Sequence, residues 1–172
     1  ANYLVIFDST QVDVKESGLS YNNIHKLYKV LNQKGATKLN HLTFDYDPLS
    51  AFIEIKEVKI YRHTGEIESL DVSLVKDYPA PARMIYWGAR QQMVDIGRLE
   101  PGDAIEVTLF KKGFTYALLA SENSDDMYIP PMRGHYYDII EFWYNEPVLE
   151  KVYETKVPNT KNLQYKFFHG KA

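Results

Sequence analysis

The stretch Asp103-Ala104-Ile105-Glu106-Val107-Thr108-Leu109-Phe110 decides the fold, because Ile105, Val107 and Leu109 alternate with Glu106 and Thr108. A period of two turns one apolar face inward and one polar face outward, which is the pattern of a half-buried strand. Lys111, Lys112 and Gly113 then read as a short turn and Phe114 to Ala120 as a second β-rich run. The pair is expected to form a hairpin, with Gly113 where positive φ is needed. A second hairpin is expected across His63-Thr64-Gly65-Glu66, joining Phe52 to Tyr61 with a run in which Leu70, Val72 and Leu74 alternate with Asp71 and Ser73. The apolar phase slips between Ile55 and Val58, which predicts a bulge.

Outward from these hairpins, strands are expected at Leu4 to Phe7, Val12 to Val14, Leu42 to Tyr46, Met84 to Trp87, Tyr136 to Tyr144, Val148 to Val157 and Leu163 to Phe168. Asn22 to Leu31 is ambiguous: Tyr21, Ile24, Tyr28 and Leu31 suit helical spacing, whereas Val30 and the aromatic content suit a strand, and strand is the reading adopted. Pro79 and Pro81 confine Asp77 to Ala82 to a loop or edge, Ile129-Pro130-Pro131 is a similar break, and Ser121 to Asp126 is an acidic loop. Many short strands separated by turns predict an all-β chain, an antiparallel extended sheet or β-sandwich.

Composition agrees with one domain over residues 1–172. The chain has 172 residues, 45% hydrophobic and 25% charged, with 20 basic against 23 acidic side chains and a net charge of −3. A chain of this size buries roughly 70% of its unfolded surface. The longest apolar runs, Tyr3 to Phe7 and Tyr116 to Ala120, fall far short of the ~20 residues of a membrane span. The acidic balance argues against nucleic acid, whose phosphates need Lys and Arg. There is no Cys, hence no disulfide, thiolate zinc site or cysteine nucleophile in this segment. The chain begins at Ala1 without a signal-like stretch and is expected to be a segment of a longer precursor.

Chemistry is sparse. Gly97 to Gly102 has phosphate-loop spacing, but Asp103 follows it where phosphate would be repelled, so Pro101-Gly102 reads as a turn. No dinucleotide, esterase-elbow or zincin motif occurs. His135, Asp138 and Glu141 form the densest metal-ligand set, yet on a strand Asp138 would face away from the other two. A cryptic metal-dependent hydrolase built on His135 is therefore the weakest of three readings. Asp45 with Asp47, and Asp125 with Asp126, lack the loop of a calcium site. No catalytic, cofactor or metal residue is expected. Aromatics make up 14% of the chain, and Tyr86, Trp87, Tyr136, Tyr137, Trp143 and Tyr144 are the candidate contacts with a protein partner or a glycan, against the plainer alternative of core packing.

Several pieces in order resemble a known family: Tyr28-Lys29-Val30-Leu31-Asn32 with Gly35, Tyr46-Asp47, Tyr61-Arg62 with Gly65-Glu66-Ile67, Asp77-Tyr78-Pro79-Ala80, and above all Leu99 through Val107. The likeness continues through Asp126 to Gly134, Tyr137-Asp138, Phe142, Pro147 and Val157-Pro158. Together they are similar to a bacterial domain of unknown function that sits N-terminal to transglutaminase-like domains in exported proteins. The resemblance implies a fold like the N-terminal β domain of some zinc aminopeptidases and a periplasmic or extracellular location. It also implies a non-catalytic module that packs on or orients a downstream transglutaminase-like domain, whose Cys, His and Asp would lie beyond this chain. A glycan-binding β-sandwich using the exposed aromatics is the alternative.

Overall fold

The computed structural model describes residues 1–81, 88–115, 118–119, 127–128 and 134–170. Its strands are β1 (Tyr3–Val14), β2 (Ser20–Val30), β3 (His41–Tyr46), β4 (Ala51–Tyr61), β5 (Ile67–Ser69), β6 (Lys76–Pro79), β7 (Arg90–Asp95), β8 (Ala104–Gly113), β9 (Leu118–Leu119), β10 (Met127–Tyr128) and β11 (Val148–Lys156). A short helix α1 (Gln33–Leu39) follows β2. A six-stranded sheet in the order β11-β1-β2-β8-β4-β5 and a three-stranded sheet β3-β7-β6 make up the body, with β9 and β10 forming a small ribbon. The fold is all-β, as the alternation predicts. Among the described residues the pairings are antiparallel except at one place, where β11 lies parallel to β1.

The core lies between the two sheets. In β8, Ile105, Val107 and Leu109 point inward and stand opposite Ile60, Val58 and Ile55 of β4. Leu42 of β3, Val94 of β7, and Ala36 and Leu39 of α1 belong to the same buried cluster. Each such fully buried aliphatic side chain contributes roughly 1.5–3 kcal/mol by leaving water. The expected bulge is present, with the β4–β8 register shifting between Ile55 and Glu57. Without it the second half of β4 would turn its apolar residues to solvent.

Several expectations are corrected. β8 does not turn at Lys111–Gly113 but runs through them, pairing with β2 on one side and β4 on the other. Gly113 has no positive φ; a Cβ there would lie 2.8 Å from the Ser50 carbonyl oxygen, so it serves a close approach of backbones. The run after Phe114 does not return along β8: its β9 pairs with β10 instead. In the second hairpin the turn is as expected, with Arg62 N–H donating to Glu66 O and Gly65 at φ +95°. Its second arm ends at Ser69, and Val72–Leu74 is one turn of 3₁₀ helix because Asp71 caps it by accepting from Ser73 N–H. Leu4 to Phe7 and Val12 to Val14 are one continuous strand, and Asn22 to Leu31 falls within β2 and its end. The segments Tyr136 to Tyr144 and Leu163 to Phe168 form no strand. Met84 to Trp87 lies outside the described residues.

Helix α1 was not expected. Asn32 caps it by accepting from Gly35 N–H at 3.0 Å. Gly35 is required for packing, since a Cβ there would fall 1.9 Å from the Asn2 carbonyl oxygen. The other end of that crossing is held by buried Glu146, which accepts from Asn2 N–H and Asn2 Nδ2 and from Lys38 Nζ, each at 2.8 Å. These donors, Lys38 foremost, hold the Glu146 carboxyl down at about 2.

Candidate functional site

Register dictates where the site lies. One row across the inner face of the large sheet reads Val58, Val107, Lys26, Asp8 and Lys151 from β4 to β11. The next row reads Ile55, Leu109, Ile24, Thr10 and Tyr153. The face is therefore aliphatic where the small sheet covers it and becomes charged and polar over β2, β1 and β11. That second half is crossed by residues 134–147, an irregular segment we call the strap.

The strap is fastened mostly by side chains. Tyr144 donates its hydroxyl proton to Asp8, Tyr136 and Tyr153 share a hydrogen bond at 2.6 Å, and Tyr153 donates to Asp138 at 2.5 Å. Thr115 Oγ1 donates to Tyr137 O at 3.0 Å, while Gly134 N–H donates to Ser17 O at 2.9 Å. At its far end, Val5 N–H donates to Pro147 O. This explains the missing strand at Tyr136 to Tyr144: Tyr136, Asp138 and Tyr144 are bonded down onto β1 and β11 rather than paired in a ladder.

Asp8 is the electrostatic centre. It is buried, and Lys26 Nζ and Lys151 Nζ approach the same carboxylate oxygen at 3.4 Å and 3.3 Å. Burial works to raise its pKa, but the Tyr144 hydrogen bond and the two ammonium groups outweigh it and hold the carboxyl below its ordinary value. The Tyr144 hydroxyl is pushed up, by burial first and then by Asp8. Burial likewise raises Tyr153, with Asp138 adding to it, and pushes Tyr136 up to about 12. All three tyrosines stay protonated donors at neutral pH. Lys151 also sits 4.8 Å from the Tyr144 ring centre and 5.9 Å from that of Phe142. A cleft of about 290 Å³ remains between strap and sheet, walled by Asp138, Glu141 and Ile139 on one side and Lys26 and Lys151 on the other.

The six candidate contact residues divide. Tyr136 and Tyr144 are half-buried fasteners of the strap, whereas Tyr137 and Trp143 face solvent, at 56% and 65% exposure. Tyr86 and Trp87 lie outside the described residues. His135 is exposed, and among the described residues no three His, Asp or Glu side chains gather as a metal would require. Asp8, Lys26, Lys151 and Tyr153 were missed. For Asp8 the available signal was its phase, a charged residue in step with Val12 and Val14, whereas β2 and β11 carry too many polar residues for Lys26, Lys151 and Tyr153 to stand out. The Gly97–Gly102 loop is a turn around an anion of its own, since buried Asp103 accepts from His63 N–H and Glu100 N–H and pairs with Arg62 at 3.0 Å.

Residues 16–172 match the profile of a domain of unknown function with a solved structure, DUF3857. The chain belongs to the DUF3857 family. Its solved structural neighbours include a putative protease of Parabacteroides distasonis, at TM-score 0.58 and 12% identity, covering 67% of this chain and 24% of that one. The DUF3857 chain thus corresponds to about a quarter of that larger protein. Lower overlaps are found with a family 3a carbohydrate-binding module domain of the Clostridium thermocellum cellulosome scaffoldin (TM-score 0.37, 11% identity, 73% and 79% of the two chains). Yeast LTA4 hydrolase gives TM-score 0.34 at 14% identity over 64% and 14%. No curated protein matches the DUF3857 chain.

Proposed function

We propose that this chain is a non-catalytic β module that packs on and orients a neighbouring transglutaminase-like, cysteine-peptidase-like domain of the same polypeptide, in a protein exported to the periplasm or cell exterior. The observation that carries the proposal is the exposed apolar surface of the strap. Ile139, Trp143, Phe142 and Tyr137 are 56–72% exposed there, on a segment tied down by many hydrogen bonds. Large apolar side chains displayed by an anchored backbone suit a protein interface. Leu163, Tyr165, Phe167 and Phe168 add a second exposed apolar run. The correspondence of this fold to a quarter of a larger putative protease supports the same reading.

Side-chain oxidative footprinting tests it, comparing the 172-residue chain with the product of the full parent reading frame. Protection of Phe142 and Trp143 in the longer protein is expected; equal labelling in both would overturn the reading. The purified 172-residue chain is expected to show no peptidase activity. Glycan binding, the second reading, draws on the exposure of Tyr137 and Trp143, and a flat glycan array removes it.

A further inference from the structure

We infer that the cleft under the strap binds a small zwitterion, an amino acid or the end of a peptide, with its carboxylate received by Lys26 and Lys151 and its ammonium group by Asp138 and Glu141. The floor carries two ammonium groups against the single carboxylate of Asp8, and both lysine side chains are mostly shielded, at 22% and 17% exposure. Each ammonium has three donors; Lys151 gives one to the Tyr144 hydroxyl at 3.5 Å and both lysines face Asp8, which leaves each at least one donor for a ligand. The floor is thus positive. The opposite wall holds Asp138, braced by Tyr153, and Glu141, and is negative.

A simple anion would gain at the lysines and lose at Asp138 and Glu141, and a simple cation would do the reverse. Only a ligand bearing both charges gains at both ends, and the shielding of the two lysines makes the contact at their end stronger than in bulk solvent. A volume of about 290 Å³ lies at the lower end of small-molecule sites, which suits an amino acid or dipeptide end. The polar groups come from three hydrogen-bonded strands and a fastened strap, so the site is organised before the ligand arrives. This proposal goes beyond the docking role and stands without it, since its test needs only the present chain.

The test is a titration of the ¹⁵N-labelled chain with glycylglycine, glycine, acetate and methylammonium at constant ionic strength, following the amides of Thr10, Ile24 and Tyr153. Saturable shifts with glycylglycine or glycine, at least ~10-fold tighter than with acetate or methylammonium, are expected. The tighter of the two zwitterions tells a peptide end from a free amino acid. Lys151→Met should weaken zwitterion binding ~10-fold. Because Lys151 also serves the Asp8 network, its melting curve is recorded, and the exposed Glu141→Gln supplies an independent reading. That variant should weaken the zwitterion and tighten acetate. No saturable shift with either zwitterion, or acetate binding as tightly, would overturn the proposal.

Discussion

Asp103 shows how much one side chain can hold together. Its carboxylate joins the β4–β5 turn, through His63 N–H and Arg62, to the loop before β8, through Glu100 N–H. Burial alone would raise its pKa, but the backbone donors of His63 and Glu100, with the His63 ring and Arg62, hold it at about 2. A depressed carboxyl contributes stability that is fully present above its unfolded value of ~3.9 and is lost as pH falls toward the folded value. Asp103→Asn should cost roughly 2–4 kcal/mol at pH 7, read by urea denaturation. It should also flatten the decline in stability between about pH 4 and pH 2. A variant as acid-sensitive as the parent would remove Asp103 as the cause.

At the scale of elements, the strap and β8 give separate predictions. Tyr144→Phe deletes the donor to Asp8 and should speed amide exchange over 137–144 while β2, β4 and β8 keep their protection, at a stability cost of about 1–2 kcal/mol. Gly113→Ala would press a methyl group against Ser50 O and Ala51 Cβ, at 2.8 and 2.9 Å, and should destabilise by about 1–3 kcal/mol. The same elements mark what was legible. Ile105, Val107 and Leu109 reveal β8 because burial on one face imposes alternation, and the Ile55–Val58 slip reveals its bulge for the same reason. Lys111-Lys112-Gly113 looks like a turn because a glycine needed for close packing has the same letter as one needed for positive φ. Helix α1 hides because seven residues give too little periodicity, and the strap hides because its tyrosines are spaced for hydrogen bonds across to β1 and β11.

At the scale of the whole molecule, the order of strands in space is what local sequence could not reveal. Pairings such as Asp8 with Lys26 and Lys151 bring distant positions into one row, and no window along the chain contains that information. Tyr136 and Tyr144 were separable from Tyr137 and Trp143 only by this geometry, the first pair as fasteners and the second as solvent-facing residues. The family match begins at residue 16, yet β1 lies before it and separates β11 from β2. A chain trimmed to 16–172 would lose Val5, Val12 and Val14 from the buried interior and the strand that holds β11. It should show no cooperative melting transition by circular dichroism, whereas a stable trimmed chain would show β1 to be dispensable.

The parallel pairing of β1 with β11 has a consequence in time as well as in space. A ribosome delivers Val5 well before Val148, so β1 must wait for β11 before its outer edge is closed. Contacts of such long sequence separation slow folding and leave an unpaired edge open to other chains meanwhile. Products truncated or stalled before β11 are then expected to aggregate through β1, while a chain that includes β11 covers that edge itself.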